Sequence, residues 1–107
     1  MLMSTNDKLF EHQVNRNLKG IELEKKGEIV EAILLYEANV SECFEGNHPY
    51  DRLRTIYNRL NRYKDVIRVL EQAVYVFDAK VNKLRADRLP KLTKFIDQLE
   101  KAKNKYS

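Results

Sequence analysis

The sequence predicts an all-α fold of about five antiparallel helices, and three observations support this prediction. The 107-residue chain has only 3 glycines and 2 prolines, so few positions break a helix. Apolar residues make up 43% and charged residues 34%, a balance typical of a globular protein. Apolar side chains also recur every three or four residues in five successive segments, as on one face of a packed helix. A chain of this length fits one domain.

The first two helices are predicted on either side of Gly27. Ser4-Thr5-Asn6-Asp7 supplies capping oxygens for a helix over 6–26, and Gly27 ends that helix. The expected buried stripe of helix 1 is Phe10, Val14, Leu18 and Ile21. Helix 2 is expected to continue to about Glu45, with the apolar stripe Ile29, Ala32, Ile33, Tyr36, Val40 and Phe44.

Three more helices are predicted after the turn at residues 46–49. Pro49 suits a first helical position of helix 3, whose inward residues would be Tyr50, Leu53, Ile56, Tyr57 and Leu60. After a turn at Asn61-Arg62, the stripe of helix 4 is Ile67, Leu70, Ala73, Val74, Phe77, Val81 and Leu84. Pro90 predicts a break near Arg88-Leu89, followed by a helix that faces inward through Leu92, Phe95, Ile96, Leu99 and Ala102. Residues 104–107 are expected to fray.

The chain also repeats itself with a period of 34 residues, which pairs Gly27 with Asn61 and Ile33 with Ile67. The first unit is marked by Gly20, Leu23, Gly27, Ala32 and Tyr36, and the second by Tyr50, Leu53, Tyr57, Tyr63, Ile67, Leu70 and Ala73. These residues at this period resemble the tetratricopeptide repeat family. The chain departs from the family pattern at Asn39, Arg54, Val66, Phe44 and Asp78.

The resemblance implies a short α-solenoid of stacked helical hairpins within a single domain, 1–107. Repeat 1 would cover about 13–46, repeat 2 about 47–80, and capping helices about 81–104, in place of a third repeat. A helical bundle without repeat symmetry would show the same apolar stripes and is the alternative.

In the tetratricopeptide family, the first helices of successive hairpins line a concave groove that holds a partner segment. By position, the resemblance places nine residues in this groove: Asn17, Ile21, Glu24, Lys25, Arg52, Thr55, Asn58, Arg59 and Arg85. The set is mildly basic, so the expected partner is a protein or peptide with an acidic segment. The carboxylate clamp of the family is not reproduced. The implied function is a non-catalytic protein-protein interaction module, an adaptor or regulator.

Charge is segregated along the chain and leaves two alternatives open. Residues 1–47 carry 5 basic and 9 acidic side chains, residues 48–79 carry 6 and 4, and residues 80–107 carry 9 and 3. The basic C-terminal third could contact nucleic acid, although no aromatic stacking platform is apparent there. It could also pair with the acidic third of another copy in a homo-oligomer.

The sequence offers no motif for an enzyme, a cofactor or a metal. It has neither a nucleophile elbow nor a phosphate loop. Cys43, Glu45 and His48 lie close together, with His12 elsewhere, but their spacing fits no known metal-binding pattern. Cys43 is expected to be a small buried hydrophobe. Without a targeting signal or an apolar span, the chain is expected to be cytoplasmic, of bacterial or phage origin, with no membrane partner.

Overall fold

The computed structural model describes residues 5–106, and these residues form five α-helices and no strand. The helices are α1 (Thr5–Lys25), α2 (Ile29–Ser41), α3 (His48–Arg59), α4 (Tyr63–Tyr75) and α5 (Arg88–Tyr106). A π-helical turn, Val76–Lys80, continues α4. The predicted all-α fold with five helices is confirmed. Ser4, expected to contribute to the first cap, and Ser107 lie outside the described residues.

Two turns that lie 34 residues apart have the same backbone geometry. Gly27 has a φ of 78° and Asn61 a φ of 58°, so both adopt the left-handed conformation that ends many helices. At both turns the following residue donates its N–H to the carbonyl oxygen five residues earlier, at 2.9 Å. The helices that follow, α2 and α4, are each 13 residues long. The period seen in the sequence is therefore also a period of the backbone.

The core lies among α2, α3, α4 and α5. Its largest fully buried side chains include Tyr36, Tyr50, Tyr57, Leu53, Leu70, Phe77 and Phe95. Phe95 of α5 packs against Tyr50 of α3 and Phe77 of the π turn, with ring centroids 6.0 and 5.5 Å apart. Helix α5 therefore covers the side of α3 and α4 that faces away from the first hairpin.

The predicted inward face of α1 is wrong. Phe10 and Leu18 are 54% and 59% exposed, and Val14 and Ile21 are only half-buried. The buried residues of α1 are instead Gln13, Asn17, Gly20 and Leu23. This face packs against α2 because α2 carries the fully buried Asn39. The Asn39 amide donates to Gln13 O at 2.8 Å and to Asn17 Oδ1 at 2.9 Å.

Several helix ends and inward-facing residues also differ from the prediction. Helix α2 ends at Ser41 and not near Glu45, and Cys43, with a φ of 59°, is half-buried. The helix that begins as α4 stops at Lys80, which leaves Leu84 in the following loop, 93% exposed. The other predicted inward residues that are exposed are Leu60 and Ile96.

The break predicted near Arg88-Leu89 is present as a loop over 81–87, after which α5 begins at Arg88. The predicted fraying from Asn104 is wrong for the described residues, because α5 continues to Tyr106. The Tyr106 hydroxyl donates to Asn58 Oδ1 at 2.8 Å and holds the end of α5 against α3.

Candidate functional site: the face between α1 and α3

The predicted groove residues meet most closely at the carboxylate of Glu24. Arg52 of α3 binds it in a bidentate manner, with Nη2 2.6 Å from Oε1 and Nε 3.1 Å from Oε2. The Tyr36 hydroxyl of α2 donates to Oε2 at 2.6 Å. Burial raises the pKa of the Glu24 carboxyl, but the hydrogen bonds from Arg52 and Tyr36 outweigh it and hold the pKa below its ordinary value. Glu24 is therefore ionised at neutral pH and neutralises Arg52.

His48 begins α3 and closes this cluster. Its ring meets the ring of Tyr36 edge-on, with centroids 5.4 Å apart. Burial lowers the pKa of the imidazole, and the charge of Glu24 offsets only part of that effect. His48 is thus neutral at neutral pH and adds no positive charge beside Arg52.

An apolar stripe on α1 lies beside this cluster. The residues are Val14, Leu18 and Ile21, called the α1 stripe below; they recur at helical spacing on one side of the helix. Phe10, one turn before Val14, stacks on Phe44 of the α2–α3 turn, with centroids 5.8 Å apart, and Glu24, after Ile21, reaches Arg52 of α3. The stripe therefore lies along α1 between a contact with the α2–α3 turn and a contact with α3.

Two predicted groove residues carry positive charges that no acidic side chain of the described residues neutralises. Lys25, one turn beyond Ile21, and Arg59, in the last turn of α3, are exposed. Neither forms an ion pair within residues 5–106. Thr55 lies one turn before Arg59 and is half-buried. Ile21, Lys25, Thr55 and Arg59 thus remain available for a partner.

Three predicted groove residues have other places in the fold. Asn17 is buried and accepts a hydrogen bond from Asn39, so it holds α1 against α2 and does not line a groove. Asn58 accepts the hydrogen bond of Tyr106 in a separate cleft. Arg85 lies at the opposite end of α3 from Arg59, where its guanidinium donates to Glu45 O at 2.8 Å and pairs with Asp87.

Val14 and Leu18 were missed as candidate surface residues although their spacing was recognised. Apolar spacing alone does not separate a core face from a face that awaits a partner. The distinguishing signal was Asn39, whose polar side chain at the centre of α2 requires polar neighbours on α1.

Neither a metal-ligand cluster nor a membrane-spanning helix occurs in the described part of the structure. Within residues 5–106, no three side chains of the His, Cys, Asp and Glu types converge as metal ligands. None of the helices described is both long and apolar enough to cross a membrane. Comparison of the chain with family models, curated proteins and solved structures gives no match. Inference about function therefore depends on the geometry of this chain.

Proposed function

We propose that the protein is a non-catalytic interaction module that binds a partner segment along the α1 stripe. The observation that carries the proposal is the exposure of Leu18, 59%, in a stripe that ends one turn before Lys25, a cation without an ion pair within residues 5–106. Arg59, in the last turn of α3, is a second such cation. Apolar contact supplies affinity at roughly 25 cal/mol per Å² removed from water, before the costs of association. The cations favour a segment whose apolar residues are flanked by Asp or Glu.

The resemblance to tetratricopeptide repeats supports the same surface, since α1 and α3 are the first helices of the two units. A partner helix would match the stripe over about two turns, because Val14 and Ile21 are separated by roughly 10 Å along the axis of α1. Such a module would act as an adaptor or a regulator. We further propose a cytoplasmic location, which the free thiol of Cys43 supports because such a thiol suits a reducing compartment.

A capture experiment tests the proposed surface with two matched double variants. Leu18→Glu/Arg59→Glu changes the proposed site, and Val30→Glu/Lys64→Glu makes the same chemical change at exposed residues of α2 and α4. Each protein is immobilised and incubated with a lysate, before and after nuclease treatment, at low and high salt, and circular dichroism checks that each is folded. We expect a protein partner that wild type and the Val30/Lys64 variant retain and the Leu18/Arg59 variant loses.

Two other results would contradict the proposal. If both double variants retain the same partner, the α1 stripe is not the binding surface. If only nucleic acid is recovered before nuclease treatment and no protein afterwards, the basic C-terminal region is the functional surface. Steep weakening with salt would accompany the second result, because phosphate contacts release counterions.

A further inference from the structure

A second cleft, separate from the α1 stripe, lies where α3 and the start of α4 meet α5. Its volume is about 280 Å³, enough for one small charged group but below the usual size of a cofactor site. The polar side chains that line it are Arg54, Asn58, Gln98, Lys101 and Lys105, with Tyr63 and Tyr106 beside them. No acidic residue is among the residues lining the cleft.

The three cations of the cleft have little neutralising charge around them. Arg54 makes no ion pair within residues 5–106. Lys101 pairs with Asp97 one turn earlier, but these side chains are 76% and 58% exposed, and such surface pairs contribute little. Lys105 lies over the ring of Tyr106, 5.2 Å from its centroid, and forms no ion pair within residues 5–106. The cleft therefore concentrates positive charge.

The two amide side chains of the cleft present their N–H groups. Asn58 Oδ1 accepts the hydrogen bond of Tyr106, so its Nδ2 is the end left for a ligand. Gln98 Oε1 is buried without a hydrogen-bond partner, and its Nε2 makes no hydrogen bond among the described residues. The cleft therefore offers two amide N–H groups as donors besides its cations, together with one unpaired acceptor, Gln98 Oε1.

The wall of the cleft is fixed by aromatic packing. The rings of Tyr63 and Tyr106 stack with centroids 4.0 Å apart and planes inclined by 13°. This stack joins the start of α4 to the end of α5 and holds Lys101 and Lys105 near Arg54. A site held in this way loses less conformational entropy when a ligand binds.

We propose that this cleft binds an oxyanion, a phosphate or carboxylate group, through Arg54, Lys101, Lys105 and the amides of Asn58 and Gln98. Three cations and two amide N–H groups, with no acidic side chain among the lining residues, match the oxygen atoms of such a group and disfavour a cationic ligand. The proposal shares no residue with the α1 stripe, Lys25 or Arg59. A negative result for this cleft would therefore leave the function proposed for the α1 stripe unaffected, and the reverse also holds.

Two probes, inorganic phosphate and citrate, test the site at constant ionic strength set with chloride. The measurement is the movement of the side-chain amide signals of Asn58 and Gln98 in nitrogen-proton NMR spectra. We expect saturable movement with at least one probe, and about tenfold weaker binding in Lys101→Gln, the size expected for one lost charge-assisted contact. Arg54→Gln should weaken binding similarly. Lys83→Gln removes the same charge from the exposed loop before α5 and should leave binding unchanged.

The two probes also identify the source of the oxyanion. Saturation with phosphate alone assigns the cleft to phosphate-bearing ligands, and saturation with citrate alone assigns it to carboxylates; either result supports the site. The proposal is overturned if neither probe moves the two amide signals. It is equally overturned if Lys83→Gln weakens binding as much as Lys101→Gln, since the effect would then be one of net charge.

Discussion

The hairpin of α1 and α2 and the hairpin of α3 and α4 share their turns but not their interiors. In the first, the fully buried Asn39 joins the two helices through hydrogen bonds to Gln13 O and Asn17 Oδ1. The residue 34 positions later is Ala73, fully buried in an apolar interior. One backbone arrangement is thus stabilised by a polar clamp in one unit and by apolar packing in the other.

The same contrast appears where the helices of each hairpin approach. Gly20 leaves room for the fully buried ring of Tyr36; a Cβ on Gly20 would lie 2.4 Å from Tyr36 Cε1. In the second unit the corresponding residues are Arg54 and Leu70. Leu70 is also fully buried, and Arg54 lines the basic cleft beside α5. A glycine therefore accompanies the large ring of Tyr36 in the first hairpin, whereas a long side chain accompanies the smaller Leu70 in the second.

Removing the polar clamp should give the largest effect on stability. Asn39→Ala leaves Asn17 Oδ1, Gln13 O and the Arg16 guanidinium without this partner, and it opens a cavity. We expect a loss of about 3 kcal/mol in the free energy of unfolding, measured by urea denaturation. Ser41→Ala, which removes an exposed hydroxyl of the same helix, should cost less than about 0.5 kcal/mol. Equal losses in the two variants would show that Asn39 is not a clamp.

Filling the space between Gly20 and Tyr36 should change stability by an intermediate amount. The sign of the change should depend on the residue at position 36. Gly20→Ala forces the Tyr36 ring to move, and we expect a loss of about 1–3 kcal/mol. In a Tyr36→Leu background, which copies Leu70, the same change should be neutral or stabilising by up to about 1 kcal/mol, because alanine favours a helix over glycine. Urea denaturation of the four proteins completes a double-mutant cycle. Additive effects would contradict pairing of these two positions.

The smallest effects are expected at the two turns, where they should be equal. Gly27→Ala and Asn61→Ala each place alanine in the left-handed conformation, at a cost of about 1 kcal/mol, and Asn61→Ala also removes the exposed acceptor of the Tyr63 hydroxyl. A Cβ at Gly27 would meet nothing within 4 Å, so its cost is conformational. Asn61→Gly should change stability by less than about 0.5 kcal/mol. Thermal unfolding can compare the three variants, and clearly unequal costs for the two alanines would mean that the turns are not equivalent.

Much of the fold could be predicted from the sequence because glycine, asparagine and proline mark its turns. The left-handed residues Gly27 and Asn61 and the break before Pro90 were all found in this way. The inward face of α1 could not be predicted in this way. The rule that apolar residues are buried fails there, because a buried asparagine of α2 determines which side of α1 packs against it. The end of α4 was missed since the π turn, Val76–Lys80, has no distinct residue pattern.

The availability of the candidate residues for a partner could not be predicted from the sequence. The resemblance places Glu24 and Arg52 in one groove, and the structure shows them in contact, but the sequence could not show that they neutralise each other. The sequence also could not show that Asn17 is hydrogen-bonded to Asn39, because that bond depends on which faces of the two helices are in contact. The cleft beside α5 was not foreseen, since it requires residues 98–106 to stay helical and Tyr106 to stack on Tyr63.

The π turn at Val76–Lys80 limits how this architecture could grow. It ends with the N–H of Val81 bonded to Val76 O at 2.9 Å, after which the chain returns so that α5 covers α4. A further 34-residue unit inserted ahead of α3 would leave that arrangement intact but would separate Arg52 from Glu24. The same unit added after Lys80 would separate Phe95 from Phe77. Growth at either point therefore requires the added unit to replace the contacts that it separates.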